Sequence, residues 1–438
     1  MMNSEQSARS EAIDALVEYE HSKTSMRTLL RDMQTTSADA PDFSRFTQSL
    51  AISVIRFQNT IDFLLTRSLG KQRPRDLDDR TRNILRLALF ESRWQGVESE
   101  LVFSNYPQVK ELFYEEFLKA ISIDLDSATQ NMPLPNRLSL RLSHPSFLVE
   151  TLLDNLGEKE SVDLMVANNK HRFYYIRPNR LFGETDSVIE SLSGVEFTID
   201  NDVPEVYRIE KGVEILVSSD LFREGRLLIQ DKASVATVNV LDPQPGEKIW
   251  DACAAPGMKT QLIAERLEGE GEIIATDIYE DRLEIAKNRS RQLEAYNITW
   301  LHADATKTPV LDADKILIDA PCTSTGVLQT YPSFKWRLNK YTLVALMTVQ
   351  NKILDAVISA YSDRPGTEIV FSTCSILPHE GESQIDSVMK HHNIELLETP
   401  IFGDTGYSAF DCSERVQRLF PHRHQCSGFF ISRFKIKH

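Results

Sequence analysis

Apolar residues recur every three or four positions along the first 130 residues, which is the spacing of one face of an α-helix. The longest of these stripes runs from Phe46 to Leu65 and predicts a helix that Gly70 ends. A second stripe predicts a helix over 78–94, because Asp78 is an acid suited to the first turn. Residues 1–130 are therefore predicted to form an all-α domain.

Basic residues crowd the end of the first long stripe and the helix after it. They are Arg67, Lys71, Arg73, Arg75, Arg80, Arg82, Arg86 and Arg93. A solvated face is the first interpretation, since Asp76, Asp78 and Asp79 are interleaved with them. A patch that contacts phosphates is the alternative.

The middle of the chain changes pattern twice. Residues 121–136 are polar, contain two prolines and are predicted to be a linker. Next comes a predicted helix that starts after Pro145 and stops at Gly157. Short segments follow, which predict a small α+β subdomain over residues 137–224. We expect strands at 173–176 and 214–217 and a helix at 186–193.

Basic and aromatic residues lie side by side in this subdomain. They are Lys170, His171, Arg172, Arg177 and Arg180 beside Phe173, Tyr174 and Tyr175. Such mixtures suit RNA, whose bases stack on rings and whose phosphates pair with arginine. Aromatic residues in alternating strands are more often part of a core.

From residue 225 onwards strands alternate with helices, which predicts a parallel sheet covered on both faces. The predicted strands are 248–251, 272–277, 299–302, 315–319, 368–371 and 429–434, and the predicted helices between them include 281–293 and 341–361. Residues 225–438 are therefore predicted to be an α/β domain. Ligands of such sheets bind beyond the carboxyl ends of the strands.

The first strand of this domain leads into a loop of small residues, 252–257, and then a helix from Met258. Small side chains let a ligand approach the backbone, and the helix start offers free N–H groups. The loop has neither the G-x-G-x-x-G spacing of dinucleotide folds nor the G-K-[ST] ending of a P-loop. It therefore predicts a nucleoside-type site of another kind, with an ordinary strand-to-helix turn as the alternative.

Three acids follow that loop at the ends of predicted strands. Asp277 comes 20 residues after Gly257, about where an acid accepts hydrogen bonds from ribose hydroxyls. Asp304 and Asp319 end or follow the next two strands. A single acid in this position is commonly a turn residue, but three beside the small-residue loop favour a nucleoside pocket.

Five cysteines lie in the chain, and none forms a C-x-x-C pair. Their odd number and wide spacing argue against a disulfide framework and against a zinc site, so we expect no metal. Cys322 and Cys374 both follow apolar strands at the expected ligand edge. There, helix N-termini and nearby cations favour the thiolate.

The net charge of −15 argues against nonspecific binding to polyanions, although RNA binding depends on where positive charge clusters. Acids among the first residues argue against a signal peptide, and the sequence contains no long uninterrupted apolar run. We expect a cytoplasmic protein, without a membrane partner, that acts as a monomer.

Three segments together resemble a known family: 251–260 (DACAAPGMKT), 319–322 (DAPC) and 372–378 (STCSILP). They are similar to the motifs of the S-adenosylmethionine-dependent RNA cytosine-5 methyltransferases, closest to the bacterial ribosomal small-subunit RNA methyltransferase B (Fmu/Sun) group. The front helices, with 79–91, resemble the NusB-type RNA-binding domain of such enzymes. The resemblance implies a Rossmann-like class I methyltransferase domain, a small α+β subdomain before it and an all-α NusB-like domain.

The resemblance also implies a mechanism. Cys374 would add to C6 of a cytosine, so that C5 attacks the methyl group; this is covalent catalysis. Cys322 would assist proton loss and enzyme release, and Asp319 would stabilise the adduct. The cofactor would bind Cys253, Ala254, Ala255, Pro256, Gly257, Met258 and Lys259, with Asp277 and Arg282 at the ribose, Asp304 at the adenine and Asp319 nearby.

Two departures from the family pattern bear on these expectations. Met258 stands where the family usually has glycine, which should stiffen the loop and leave a backbone contact intact. His379 to Glu382 replaces a usual run of two acids and an asparagine, which we expect to affect helix capping more than chemistry.

Ribosomal RNA is the expected substrate, and transfer RNA with the same chemistry is an alternative. An attack by Cys322, as in DNA cytosine methylases, is disfavoured by the Thr-Cys setting of Cys374. A noncatalytic RNA-binding or ribosome-assembly factor is a further alternative. A nicotinamide-dependent oxidoreductase is disfavoured by the missing glycine spacing.

Overall fold

The structure, a computed structural model, describes residues 4–22, 24–36, 45–183, 187–307 and 310–437. The chain forms two compact units, Met1–His171 with Leu328–Asn339, and Arg172–Val327 with Lys340–His438. The helices of the first unit are α1 (Ser4–His21), α2 (Met26–Thr36), α3 (Arg45–Ser68), α4 (Asp79–Gln95), α5 (Ser99–Asn105), α6 (Pro107–Ser122), α7 (Leu125–Thr129), α8 (Leu134–Arg141) and α9 (Ser146–Asn168). The three-part division into 1–130, 137–224 and 225–438 stays a prediction.

The two apolar stripes predicted near the N-terminus form α3 and α4. Leu50, Val54 and Leu64 on α3 are buried in one core with Leu85 and Leu89 on α4. Asp78 caps α4 as predicted, since its side chain accepts a hydrogen bond from the N–H of Thr81. The 3.6-residue period therefore identified both core helices.

Two of three expectations for the middle of the chain are wrong in part. Residues 121–136 contain α7 and the start of α8, because the prolines lie before or within a first helical turn, where proline is tolerated. The predicted stop at Gly157 holds, since its backbone is non-helical with φ of 75°, and a second helical stretch of α9 continues from there to Asn168. Residues 214–217 lie in a helix, Val213–Ser218, although Ile and Val favour strands.

Two of the basic residues near the N-terminus are neither solvated nor free for phosphate. Arg86 is buried and donates to Asp62 Oδ1 on α3 at 2.7 Å and to Glu20 Oε1 on α1 at 2.5 Å. Arg82, also buried, pairs with the same Glu20. These arginines tie three helices together, whereas Arg80 forms its ion pair on the surface.

The segment Leu328–Asn339 completes the first unit. Lys335 on this segment is fully buried. Its ammonium donates to the carbonyls of Arg56 (3.2 Å) and Ser143 (2.9 Å) and to Asn169 Oδ1 (2.6 Å). Burial lowers the pKa of Lys335 well below its usual range. The three acceptors satisfy the hydrogen-bond donors of this buried amino group.

The second unit contains two sheets. Its strands are β1 (Tyr174–Pro178), β2 (Glu196–Ile199), β3 (Tyr207–Lys211), β4 (Leu227–Ile229), β5 (Lys248–Asp251), β6 (Glu272–Asp277), β7 (Ile298–His302), β8 (Lys315–Asp319), β9 (Glu368–Thr373), β10 (Ile394–Leu397), β11 (Asp404–Thr405), β12 (Val416–Leu419) and β13 (Phe429–Ile436). Its helices are α10 (Ser187–Glu190), α11 (Val213–Ser218), α12 (Asp220–Arg223), α13 (Lys232–Leu241), α14 (Met258–Arg266), α15 (Glu280–Gln292), α16 (Lys340–Ala360), α17 (Glu382–His391) and α18 (Pro421–His424). The predicted helix 186–193 is therefore shorter, and Asp186 lies outside the described residues.

The smaller sheet is antiparallel, in the order β2-β3-β1-β4. The larger sheet has the order β11-β12-β13-β9-β8-β5-β6-β7, and β10 also pairs with β13. Strands β5 to β9 are parallel, and β13 runs antiparallel beside β9. This confirms the predicted parallel α/β sheet and adds an antiparallel end.

Helices cover the larger sheet on both faces. Ile249 and Leu317 pack with α13 and α14 on one face, whereas Trp250 and Ile316 pack with α16 and α17 on the other. Among the described residues, only α16 is long and apolar enough by length and composition to cross a membrane, and core helices of soluble proteins pass the same test. One face of α16, which includes Leu354, is buried in the core that also contains Trp250 and Ile316.

Candidate active site

Acids lie at the carboxyl ends of the parallel strands, as the sequence predicts. Asp251, Asp277 and Asp319 are the last residues of β5, β6 and β8. The register pairs Asp251 with Leu317, two residues before Asp319 on the neighbouring strand. Because carboxyl ends of parallel strands meet at one edge, these acids line a common edge of the sheet.

The small-residue loop is fastened to two neighbouring strands. The N–H of Ala252 donates to the carbonyl of Leu317 and that of Ala254 to the carbonyl of Thr276, both at 2.9 Å. Gly257 then begins α14 in the left-handed conformation, with φ of 93°. A Cβ at this position would lie 3.2 Å from the side chains of Ala286 and of Trp300, so both backbone and space favour glycine here.

Asp277 and Arg282 brace this loop from one side. Asp277 is buried and accepts hydrogen bonds from the N–H groups of Ala255 (3.1 Å) and Tyr279 (3.0 Å). Arg282 donates to the carbonyl of Ala255 at 2.6 Å. Both predicted ribose contacts therefore touch the loop itself, and Asp277 keeps lone pairs for further donors.

A small cavity opens beside the loop. It is lined by Ser234, Asp251, Cys253, Ala254, Ala255, Pro256, Met258, Lys259 and Asp319. Asp304 is not among these residues; it accepts hydrogen bonds from Thr306 and pairs with Lys307 at 3.1 Å. The hydrogen bonds from Thr306 lower the pKa of Asp304.

Asp251 is a buried carboxyl group that is only half satisfied. Its Oδ2 accepts a hydrogen bond from Thr260 at 2.7 Å, whereas Oδ1 has no hydrogen-bond partner among the described residues. Burial raises the pKa of Asp251 to about 7; the Thr260 hydrogen bond opposes this shift and the charge of Asp319 adds to it. Asp251, which carries this unpaired Oδ1, is one of the residues that line the cavity.

Asp319 is held between a cation and a hydroxyl. Lys259 donates to Oδ2 at 2.7 Å, and Ser372 on β9 donates to Oδ1 at 2.9 Å. Burial lowers the pKa of Lys259, but the charge and hydrogen bond of Asp319, together with the charges of Cys374 and Asp251, make the net shift upward. The ammonium also lies 5.1 Å from the centre of the Phe429 ring. Asp319 is thus positioned beside the cavity by residues of α14 and β9.

The two predicted cysteines lie together. Cys322 Sγ and Cys374 Sγ are 3.3 Å apart, and Ser324 Oγ lies 3.6 Å from Cys374 Sγ. The hydrogen bond from Cys322 lowers the pKa of Cys374 against the effect of burial. The same contact, together with burial, raises the pKa of Cys322 well above its ordinary value. Cys374 is therefore the thiol that ionises first.

Main-chain contacts explain why the cysteines meet. The N–H of Gly326 donates to the carbonyl of Cys374 at 2.9 Å, and the N–H of Gly428 donates to the carbonyl of Gly326 at 2.8 Å. A Cβ on Gly326 would lie 1.9 Å from the Gly428 oxygen, so no larger residue fits. The loop after β8 is thereby fastened to the end of β9.

The segment just before the sheet supports the cofactor loop. Gln230 accepts from Arg177 at 2.8 Å and donates to Ser234 (3.2 Å) and to the carbonyl of Met258 (3.3 Å). Arg177 is buried and paired with Glu265, so this arginine is structural and not an RNA contact. The main chain of Met258 thus keeps a contact that does not depend on its side chain.

Sequence reasoning missed three buried residues around the cysteines: Glu380, Gln350 and Arg418. The side chains of Glu380 and Gln350 contact residues on either side of Cys322. Arg418 pairs with Glu382 and donates to the carbonyls of Ser375 (2.6 Å) and Leu377 (3.1 Å). The sequence signal that could have revealed this buried cluster is the pair of acids after Pro378, next to an otherwise apolar strand end.

The remaining cysteines do not join this pair. Cys253 lines the cavity, and burial raises its pKa well above the ordinary value. Cys412 and Cys426 are buried in the core. The described residues contain no group of three metal-ligating side chains, and the expectation of no metal stays a prediction.

A Rossmann-like sheet with one antiparallel strand beside β9 and a ligand edge of acids defines a class I methyltransferase. Residues 238–435 match the family model for the 16S rRNA methyltransferases RsmB/F, and residues 6–105 match that of the NusB family. The chain belongs to this family of S-adenosylmethionine-dependent rRNA methyltransferases and carries a NusB domain. The predicted family, fold class and cofactor are confirmed.

Two relatives and one solved structure are similar to this chain over most of its length. The chain is 29% identical over 416 residues to the probable ribosomal RNA small subunit methyltransferase B of Synechocystis sp., covering 90% of this chain and 92% of the relative. It is 28% identical to the human 28S rRNA (cytosine(4447)-C(5))-methyltransferase, covering 69% of this chain and 39% of the human protein. The crystal structure of PH0851 covers 98% of both chains, with 27% identity and a TM-score of 0.76.

Proposed function

We propose that this protein methylates C5 of a cytosine in small-subunit ribosomal RNA, with Cys374 as the attacking thiol. The observation that carries this proposal is the cysteine pair, 3.3 Å apart, at the sheet edge that also holds Asp319 and Lys259. Cytosine C5 is a poor nucleophile, and a protein that only binds RNA has no need of two adjacent thiols at its ligand edge.

The reaction follows from the different acidities of the two thiols. The Cys374 thiolate would form a bond to C6, and the C5–C6 double-bond electrons would form the new bond from C5 to the methyl carbon of S-adenosylmethionine. The bond from that carbon to sulfur would break, and its electron pair would leave with the neutral thioether. A base then removes the C5 proton, the double bond re-forms and the Cys374 thiolate leaves. Cys322, protonated beside Cys374, supplies a proton donor within 3.3 Å during the release. Dividing one hard step in this way is covalent catalysis.

Asp319 is the residue that would contact the cytosine base. Lys259 and Ser372 fix its two oxygens, so the carboxylate is presented in one orientation. In that setting it hydrogen-bonds the amino edge of cytosine and stabilises the adduct. Replacing Asp319 by asparagine removes this charge and leaves the shape of the side chain, which makes it a clean test of the role.

The residues that line the cavity suit the cofactor in their chemistry. S-adenosylmethionine supplies a methyl group on a positively charged sulfur. Cys253 to Lys259 would hold it along the loop, where small residues permit close approach. The half-satisfied Asp251 offers an acceptor to a cationic group. Asp277 and Arg282 at the loop suit the ribose, and Asp304, farther along the edge, suits the adenine.

The substrate class follows from the relatives. The Synechocystis relative acts on small-subunit ribosomal RNA by its name, and the human relative modifies C5 of a cytosine in 28S rRNA. Residues 6–105 match the NusB family, and its resemblance to an RNA-binding domain supports an RNA partner. A ribosomal RNA substrate goes with a cytoplasmic enzyme, which we infer to act as a monomer without a metal or a membrane.

Nucleoside mass spectrometry tests the proposal. Small-subunit ribosomal RNA and transfer RNA, each unmodified, are incubated with the full chain and S-adenosylmethionine. We expect 5-methylcytidine on the ribosomal RNA, no product with Cys374→Ala or Asp319→Asn, and a denaturant-stable protein–RNA adduct with Cys322→Ala. Product only on transfer RNA would replace the substrate, and no product on either RNA would favour an assembly factor.

A further inference from the structure

Glu380 is a fully buried carboxylate in the short helical turn after the Cys374 segment. Its Oε1 accepts a hydrogen bond from the N–H of Thr323 at 2.9 Å, and its Oε2 accepts from the Thr323 hydroxyl at 2.5 Å. Thr323 directly follows Cys322. The carboxylate therefore binds the residue after one cysteine by both of its polar groups.

Gln350, buried in the middle of α16, contacts the residue on the other side. Its Nε2 donates to the carbonyl of Pro321 at 2.9 Å and to Glu380 Oε1 at 3.1 Å. Cys322 therefore lies between two residues that are each held from the same buried pair, Glu380 and Gln350. Three donors converge on the two oxygens of Glu380, which satisfies a buried charge.

Glu380 also contacts the segment of the second cysteine. The hydroxyl of Thr373, the residue before Cys374, donates to the main-chain carbonyl of Glu380 at 3.1 Å. One residue thus binds the neighbours of both thiols. Nothing in the proposed chemistry uses the carboxylate of Glu380, and burial keeps it from the substrate.

We propose that Glu380 is a positioning residue, which holds the Cys322 loop so that the Cys322 thiol donates to Cys374 and Cys374 is the reactive sulfur. It acts through Thr323 and Gln350, without touching the base or the cofactor. The inference deepens the proposed function, and only its turnover measurement depends on that function.

Electrostatics act in the same direction. The pKa of Cys322 is raised first by its contact with Cys374, then by burial and by the negative charges of Cys374 and Glu380. A carboxylate on the side of Cys322 disfavours a second charge there and leaves ionisation to Cys374. Swapping the carboxylate for an amide removes this bias and keeps the shape of the side chain.

Two variants separate this role from ordinary packing. Glu380→Gln removes the charge and retains an acceptor for the N–H of Thr323. Glu368→Gln is the control, because Glu368 lies at the opposite end of β9 and pairs with Arg433, far from both cysteines along the strand. Thermal unfolding checks that each variant folds. Thr323→Val removes only one of the three hydrogen-bond donors to the Glu380 carboxylate. This variant replaces Glu380→Gln in the test if Glu380→Gln does not fold.

The first readout is thiol labelling without RNA. Limiting iodoacetamide is added across neutral to alkaline pH, and the labelled cysteines are identified by peptide mass spectrometry. In the wild type we expect Cys374 to be labelled before Cys322. In Glu380→Gln the share of label on Cys322 should rise severalfold and the pH dependence of Cys374 labelling should change, whereas Glu368→Gln should behave as the wild type.

The second readout is methylation kinetics. Because misplacing a reacting group by about 1 Å costs up to about 100-fold in rate, Glu380→Gln should lower kcat by roughly 10- to 100-fold and leave KM for RNA unchanged. A folded Glu380→Gln variant with wild-type labelling and wild-type kcat would overturn the inference. If the wild type makes no 5-methylcytidine but the label still shifts, the proposed function fails and the positioning role stands.

Discussion

The sulfur of Cys374 lies 3.3 Å from the sulfur of Cys322, and this contact lowers the pKa of the Cys374 thiol while it raises the pKa of the Cys322 thiol. The two residues are 52 positions apart, on loops that follow neighbouring parallel strands. In the proposed reaction this pair supplies the attacking thiol, and we expect the pair to make the site sensitive to oxidants.

Peroxide should inactivate the protein reversibly through this pair. The Cys374 thiolate attacks hydrogen peroxide and becomes a sulfenic acid; the Cys322 thiol then displaces the hydroxyl group, giving a disulfide and water. We expect the loss of two titratable thiols and of cofactor-dependent methylation, both restored by dithiothreitol. Non-reducing peptide mapping locates the bond.

Cys412→Ser is the control for this oxidation, because that thiol is buried in the core and away from the pair. It should leave the peroxide sensitivity unchanged. If Cys322→Ser forms the same reversible species as the wild type, the disulfide lies elsewhere and the prediction is wrong.

Asp251 should make stability depend on pH. Its pKa rises from the ordinary 3.8 to about 7 in the folded protein, so between these values the folded state holds a proton that the unfolded state has lost. Stability therefore falls as pH rises through this window, and above about pH 7 the folded state pays the full cost of a buried charge. Asp251→Asn should remove that fall. Urea midpoints from pH 4 to pH 8 measure it.

The asparagine keeps an acceptor for Thr260, so the hydrogen bond at 2.7 Å has a substitute. Thr260→Val serves as the comparison, since it removes the hydroxyl and leaves the carboxyl group. A wild-type pH slope in a folded Asp251→Asn variant would mean that another group carries the proton.

Arg418 and Glu382 form an ion pair in which neither side chain is exposed. The guanidinium also lies between the rings of Tyr407 and Phe430, with its Cζ 4.9 and 4.8 Å from their centres. Removing one partner should destabilise the second unit by about 3–5 kcal/mol, because the other charge is left buried and unpaired.

The double variant Arg418→Met with Glu382→Leu should lose less stability than the sum of the two single variants. Chemical unfolding of all four proteins, followed by a probe in the second unit, measures the coupling. Strict additivity of the single losses would show that the pair makes no net contribution and that packing explains the effect.

Replacing Gly257 should weaken cofactor binding, whereas replacing its neighbour Met258 should not. Alanine at 257 meets two side chains at 3.2 Å and is strained at φ of 93°, which costs on the order of 1–3 kcal/mol. Gly257→Ala should weaken S-adenosylmethionine binding in calorimetry.

Met258→Gly is the matched variant, and it restores the residue that the family usually has. It retains the main-chain carbonyl that Gln230 binds, so affinity should stay near that of the wild type. A large loss with Met258→Gly would show that the methionine side chain itself contacts the cofactor.

The sequence predicted the central strands best. Residues 248–251, 272–277 and 315–319 coincide with β5, β6 and β8, because strands buried on both faces are continuous apolar runs. The sequence did not predict β10, β11 and β12, since these strands are short and partly polar. β10 and β12 are defined by their pairing with β13, and β11 by its pairing with β12. Residues 214–217 misled because one helical turn of Ile and Val has the composition of a strand.

The candidate site divides in the same way. Its acids and cysteines follow predicted strands, and a local pattern is enough to find them. Glu380 depends on Thr323, 57 residues away, and Gln350 on Pro321, 29 residues away; both contacts exist only once the sheet and its helices have assembled. Roles of the individual residues stay predictions until the variants are measured.

The position of Lys335 in the sequence affects the order in which the helical unit can fold. A chain that grows on a ribosome presents α1 to α9 first, while the segment that carries Lys335 follows only after most of the methyltransferase sheet has been made. Until then the carbonyls of Arg56 and Ser143 lack the ammonium that they bind in the finished protein. The N-terminal helices can therefore associate early, but their final packing forms only after the segment with Lys335 has been synthesised. A fragment that ends at His171 would lack the hydrogen bonds that Lys335 donates.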